Sequence, residues 1–207
     1  MSFQESPVII LASASPRRAE LLRQLGVAFQ QCPVDLDESV WPGEMPADYV
    51  RRLALAKAQA VSDMHSHLPS RLVLGSDTSV VLGERIFGKP ASEDEAVSML
   101  QALSGRTHQV LTGVALVTAD REPLVDVVVT QVQFRTIEPE EMHAYWRTGE
   151  PRDKAGGYAI QGLGAVFVQR IEGSYSGVMG LPLFETAAML RRSGYFLWPT
   201  EEGIVHE

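Results

Sequence analysis

Cysteine is nearly absent. The 207 residues contain one, Cys32, which excludes an intramolecular disulfide and leaves no CxxC pair for zinc or thiol redox chemistry. Long apolar runs are missing as well, and none approaches the roughly 20 residues that a membrane-spanning helix needs. Basic residues are in the minority: 18 Lys and Arg face 26 Asp and Glu, for a formal net charge of −8. A duplex-DNA binder draws most of its affinity from phosphate neutralisation, so that balance argues against a nucleic-acid partner. It leaves room for a small anionic ligand in one locally basic cleft, because net charge says little about a single pocket. There is no GxxxxGK[ST] phosphate loop and no GxSxG, and no Cys–His arrangement stands out. Gly162-Leu163-Gly164 lacks the third glycine of a dinucleotide fingerprint and precedes a strand-like run where a helix should begin. The histidines are dispersed, and His65-x-His67 reads as a solvated helix end rather than a metal site. Ala12-Ser13-Ala14 mimics a signal-peptidase site, but Glu5 and no Lys or Arg precede it, and the apolar run is too short. The expectation is a cytoplasmic protein without a membrane partner.

What is present is an alternation of short strands and helices with no repeat or linker. One domain is expected over residues 1–207, with a core at about 8–194 and a frayed tail beyond. Val8–Ala12 is apolar, short and rich in β-branched residues, as a buried strand is. Ser15 then suits an N-cap and Pro16 a first helical position, with Gly26 as the stop. Val27–Val34 reads as a second strand, Pro46–Met64 as a long helix, and Leu72–Gly75 as a third short strand. Val80–Phe87 turns back at Gly83-Glu84, and Ser92–Leu103 is a helix with a capping box from Ser92 and Glu95. Thr107–Thr118 and Leu124–Ile137 read as long strands, Pro139–Arg147 as a helix, and Ala165–Ile171 as a strand before a last amphipathic helix ending near Ser193.

The chemistry-bearing residues fall at the joints of this pattern. A strand feeding a helix N-terminus offers free N–H groups and a positive dipole end, and Ser13, Ser15, Arg17 and Arg18 cluster there. A phosphate suits that site, since Arg binds one in bidentate fashion; a capped surface helix with two solvated arginines accounts for the hexapeptide as well. Lys57 interrupts the apolar stripe Val50, Leu53, Ala54 and Val61. Either it snorkels outward along its stem or its ammonium enters a cleft. In the second case Lys57→Met should leave stability level or raise it, the surroundings being apolar. Ser76-Asp77-Thr78 stands at the carboxyl end of the third strand, where ligands collect in α/β sheets, though Asp77 is also an ordinary turn former. Glu38 and Asp77 are hard oxygen ligands suited to Mg²⁺, which needs only one or two carboxylates plus substrate phosphates. Gly88-Lys89-Pro90 is a stiff turn able to fix a lysine stem.

Taken together and in order, these segments resemble the Maf family. The resemblance rests on Ser13-x-Ser15-Pro16-Arg17-Arg18, Asp37-Glu38, Leu53-Ala54-x-x-Lys57-Ala58, Gly75-Ser76-Asp77-Thr78, Gly88-Lys89-Pro90, Ser104-Gly105-x-x-His108, and Asp153-Lys154-Ala155-Gly156 through Ile160-Gln161-Gly162. It implies an elongated α/β fold with a mixed sheet and a cleft between two lobes, similar to the inosine triphosphatases. It implies a nucleoside triphosphate pyrophosphatase that cuts the α–β phosphoanhydride with a divalent metal, Mg²⁺ or Mn²⁺. By position, Asp77 matches the proton acceptor, and Glu38 with Asp77 the metal ligands. Ser13, Arg18, Lys57 and Lys89 match phosphate contacts, which turns the reading of Lys57 toward the cleft. Arg17, Thr78 and Gln161 match the positions that separate the branch acting on dTTP and UTP from the one acting on 7-methyl-GTP. A neutral amide such as Gln161 offers a donor and an acceptor to a pyrimidine edge. A homodimer is compatible with the resemblance. Two rival readings remain: a nucleotide-sensing or division-associated interaction protein, and a purine (inosine/xanthosine) triphosphatase.

Overall fold

The computed structural model describes residues 7–198. Its strands are β1 (Val8–Ala12), β2 (Gln30–Gln31), β3 (Arg71–Leu82), β4 (Arg85–Phe87), β5 (Thr107–Thr118), β6 (Leu124–Phe134) and β7 (Val168–Glu172). The helices are α1 (Pro16–Gln24), α2 (Pro46–Met64), α3 (Glu93–Leu103), α4 (Pro139–Arg147), α5 (Tyr175–Met179) and α6 (Leu183–Arg192). One mixed sheet runs β2-β1-β3-β5-β6-β7, with β4 paired to β3. This is the expected mixed-sheet α/β fold.

Side-chain alternation along the strands divides the core. Ile9, Leu11, Leu72, Leu74, Val114 and Leu116 pack with α1 and α6 residues such as Leu22 and Leu190. Ile10, Ala12, Val73, Ala115 and Val117 pack against Ala54, Ala58 and Val61 of α2. A further core joins Val80 and Phe87 to α3, α4 and Phe134 of β6. The long strands β3 and β5 therefore run through both ends of the molecule and tie them into one framework.

Two glycines set how closely α2 lies on the sheet. A Cβ at Gly75 would stand 2.2 Å from the Ala54 carbonyl oxygen, and one at Gly113 would stand 2.3 Å from that of Val50. Only a residue without a side chain lets helix and strand backbones meet at this distance.

Several expected boundaries move. The second strand shrinks to Gln30–Gln31 because Val27 N–H bonds back to Leu22 at the helix end and Pro33 has no N–H to give. The third strand does not stop at Gly75 but continues to Leu82, so Asp77 lies mid-strand rather than at a strand end. Ala165–Phe167 belongs to a 3-10 turn, Leu163–Phe167, whose N–H groups are taken by Glu150 and by Gly162. The last helical region breaks at Gly180 (φ 119°) and Pro182 into α5 and α6. Tyr195 and Leu197 still pack on the core. The expected fraying beyond them concerns residues 199–207, which lie outside the described residues.

Candidate active site

The place where ligands could collect is a gap in the pairing of β3. On one side β3 pairs with β5 from Leu72 to Val81. On the other, β1 ends with Ala12 opposite Gly75, and β4 pairs with β3 only from Val80 onward, where its last residue, Phe87, stands opposite. The edge of β3 from Ser76 to Ser79 is thus left open, and Asp77 lies inside the gap. The strand terminus expected at Asp77 is supplied instead by β1, whose chain leaves the sheet here and enters α1. A cleft of about 530 Å³ occupies the gap, and Ser13, Arg17, Arg18, Glu38, Lys57, Asp77, Thr78, Lys89 and Gln161 all line it. Every site residue expected from sequence is therefore brought to one cavity.

Asp77 points toward α2. The close approach at Gly75 places Lys57 Nζ 2.8 Å from Asp77 Oδ1, and the same ammonium lies 2.5 Å from Glu38 Oε1. The snorkelling alternative for Lys57 does not hold, since its side chain is 9% exposed. Burial pushes the Asp77 carboxyl up from its ordinary value, although Lys57 and Arg18 oppose the shift. Burial also pushes Glu38 up, but there the hydrogen bond and charge of Lys57 win, and Glu38 falls below the usual carboxylate range. The half-exposed Glu38 is fixed from below, where the Tyr49 hydroxyl donates to its backbone carbonyl at 2.8 Å.

Thr78 points to the opposite face, toward the start of α1. Ser15 caps that helix, and no acidic residue stands in its first turn. Arg18 Nε donates to the Gly180 carbonyl (2.8 Å), Nη1 to Ser13 Oγ (3.2 Å) and Nη2 to Thr78 Oγ1 (3.3 Å). These acceptors are all neutral, so the guanidinium keeps an unpaired positive charge facing the cleft. Burial accordingly lowers its pKa, with Asp77 pulling the other way. Thr112 donates its one hydroxyl hydrogen to the Gly177 carbonyl at 2.7 Å and accepts from the Thr78 hydroxyl at 3.0 Å, holding this wall to α5.

The cleft is also lined by Tyr49, Asp153 and Lys154, none of which was singled out from sequence as a site residue. Asp153 pairs with Lys154 and, at 3.4 Å, with Arg17 Nη1. Their motif Asp153-Lys154-Ala155-Gly156 was the available signal. Gly156 adopts φ 69°, and its N–H bonds the Gly88 carbonyl at 2.9 Å, which anchors the turn carrying Lys89. Lys89 and Gln161 are exposed and make no hydrogen bond or ion pair among the described residues. Five cationic side chains and three carboxylates line the cleft, an excess of positive charge on a chain whose net charge is −8. Such a cavity draws in polyanions.

Residues 8–193 match the profile of the family described as Maf-like protein. The chain belongs to the Maf-like family. Among curated members of that family, the dTTP/UTP pyrophosphatase of Pseudoalteromonas translucida is 55% identical over 183 residues, covering 88% of this chain and 95% of the relative. The dTTP/UTP pyrophosphatase of Xanthomonas euvesicatoria is 52% identical over 188 residues, covering 90% of this chain and 99% of the relative. Among solved structures, the dITP/XTP pyrophosphatase of Mycobacterium abscessus shows a partial likeness, with TM-score 0.40, 18% identity, and coverage of 68% of this chain and 94% of that one.

Among the described residues no cluster of three or more His, Cys, Asp or Glu forms a metal cage, and no helix is long and apolar enough to cross a membrane. A divalent ion is still compatible with this Maf-like site. Glu38 and Asp77 converge on one cationic position, now taken by the Lys57 ammonium, and Mg²⁺ asks for only one or two carboxylates when phosphates complete its shell.

Proposed function

We propose that this Maf-like protein hydrolyses dTTP and UTP to the nucleoside monophosphate and pyrophosphate, with a divalent metal. The observation that carries the reading is Asp77: a buried carboxylate held by Lys57 at the open edge of β3, inside a cleft of excess positive charge. The identity of about half the chain to curated dTTP/UTP pyrophosphatases supports the choice of substrate.

In this reading the polyphosphate lies along the start of α1, against Ser13, Arg18, Lys57 and Lys89. The charges of Arg18, Lys57 and Lys89 offset the negative charge that gathers on the phosphate oxygens as the water oxygen bonds to the α-phosphorus and the α–β bridge breaks. Asp77 takes the proton of that water, and its raised pKa brings its basicity nearer to neutral pH. Glu38 and Asp77 would hold the metal, which when bound supplies further positive charge to the phosphate oxygens. Arg17, Thr78 and Gln161 lie on the cleft wall toward the nucleoside, where Gln161 presents a free amide to the base.

The test is a panel of UTP, dTTP, CTP, dITP and 7-methyl-GTP with Mg²⁺ or Mn²⁺, scored for pyrophosphate and monophosphate. Pyrophosphate release fastest with UTP and dTTP is expected. Release of orthophosphate alone, or a preference for dITP, would replace this reading with another. Tight nucleotide binding without turnover would favour a sensing protein.

A further inference from the structure

Gln161 makes no hydrogen bond among the described residues, so nothing holds its amide except the backbone of its own loop. That matters because a terminal amide rotates between two near-equivalent orientations. It can therefore offer donor and acceptor in either order, to a uracil edge or to a cytosine edge. A site that tells the two apart must place the amide from outside.

The loop is held at both sides of Gln161 by one pair of side chains. Two residues before it, the Ala159 N–H donates to Tyr145 Oη at 3.0 Å. After it, the Leu163 N–H donates to Glu150 Oε2 and the Gly164 N–H to Glu150 Oε1, each at 2.9 Å. Tyr145 closes the set by donating its own hydroxyl to Glu150 Oε1 at 2.6 Å. The fit depends on glycine: a Cβ at Gly162 would stand 2.1 Å from Glu150 Oε2, and one at Gly164 would stand 2.6 Å from Tyr145 Oη. Tyr145 is itself locked in the core, edge-on to Phe167 at 5.1 Å. Burial pushes the Glu150 carboxyl up, but the Tyr145 hydroxyl and the two N–H groups outweigh it and keep the group ionised. Glu150 also begins the 3-10 turn Glu150–Asp153, whose other end carries the Asp153 carboxylate that pairs with Arg17. One short turn thus reaches two of the three expected specificity positions.

We infer that Glu150, through Tyr145 and the 159–164 backbone, is a positioning residue that sets the aim of Gln161 and hence the choice of base. The inference rests on Gln161 reading the base, as proposed above. Replacing Glu150 by Gln keeps the shape but turns one oxygen into an N–H₂ group, so at least one of the two loop N–H groups loses its acceptor.

UTP and CTP share ribose and triphosphate and differ only at the base edge, so their ratio of kcat/KM isolates base reading. In Glu150→Gln that ratio should fall about tenfold toward one. A merely structural role would lower Tm and both specificity constants together and leave the ratio where it was, which would overturn the inference. Should Glu150→Gln fail to fold, Tyr145→Phe keeps the ring packing and frees only the Ala159 N–H and one bond to Glu150. It should lower the ratio at least threefold, and an unmoved ratio would again refute the idea. The wild-type control separates the two levels. A wild type inactive on UTP sinks the pyrophosphatase reading and this inference with it, whereas an active wild type with unmoved variants sinks the positioning role alone.

Discussion

Replacing Lys57 by Met removes the ammonium that both Asp77 and Glu38 face, and the consequences can be worked through from the burial of the pair. Lys57 and Asp77 side chains are 9% and 10% exposed. Taking one partner from a buried pair typically costs about 3–5 kcal/mol, because the other charge is stranded. The apolar stripe around Lys57 had suggested that Met would be neutral or stabilising; the carboxylate at 2.8 Å reverses that expectation. Asp77 has one escape, which is to take up a proton. The cost of that proton sets a ceiling on the penalty of roughly 1.4 kcal/mol for each pH unit above the carboxyl's ordinary value, which is 3.8.

The sign follows directly. The folded pKa of Asp77 already lies above its unfolded value, and without Lys57 it rises further. The folded variant then holds a proton that the unfolded chain has released, so its stability is present at low pH and lost as pH rises through the folded pKa. At about pH 8 the variant should be less stable than wild type by roughly 3 kcal/mol, a fall in Tm of about 6–12 °C for a chain of this size. By about pH 5.5 the gap should narrow by roughly 2 kcal/mol or more, since linkage allows up to about 1.4 kcal/mol per unit. Urea unfolding at the two pH values measures it, and the acid limb of the pH–rate profile should move up in parallel. A gap independent of pH, or a variant as stable as wild type at pH 8, would refute the argument that Lys57 neutralises a buried Asp77.

Three further outcomes are expected. Asp77→Asn should lower kcat by about 10²–10⁴ while triphosphate binding stays measurable, because the amide keeps the shape but cannot take the proton; more than a tenth of wild-type kcat, with metal titrated in parallel, would remove Asp77 as the base. Gln161→Glu should lower kcat/KM for dTTP and UTP at least about tenfold, near 1.4 kcal/mol, and activity on 7-methyl-GTP less; an unchanged ratio of the two would show that Gln161 does not read the base. Gly75→Ala should cost about 1–3 kcal/mol of stability through overpacking and lower kcat by more than the folded fraction explains, since its Cβ would displace Ala54 and with it Lys57; wild-type kcat in a destabilised variant would separate the helix approach from the chemistry.

Much of this protein was legible in one dimension. The bounds of α2 and α4, the Ser15 cap and the hairpin at Gly83-Glu84 follow from local rules, in which capping, fixed φ at proline and apolar periodicity act within a few residues. The ordered motifs, through the family they resemble, likewise named nine residues that line one cleft. The extent of β3 could not be read in this way. Nothing local marks Gly75 as an interior position; it stays in the strand because β5 pairs with it throughout, and its glycine answers to a helix backbone some twenty positions earlier. The second strand failed for the opposite reason, since its N–H groups were claimed by a helix end and denied by a proline. Only the folded chain shows that β1 and β4 leave a gap along β3, that Lys57 answers a carboxylate rather than solvent, and that Glu150 and Tyr145 brace the loop of Gln161. Each of these depends on contacts between segments far apart in sequence, whose energies are settled by pairing and close approach rather than by the residues' own preferences.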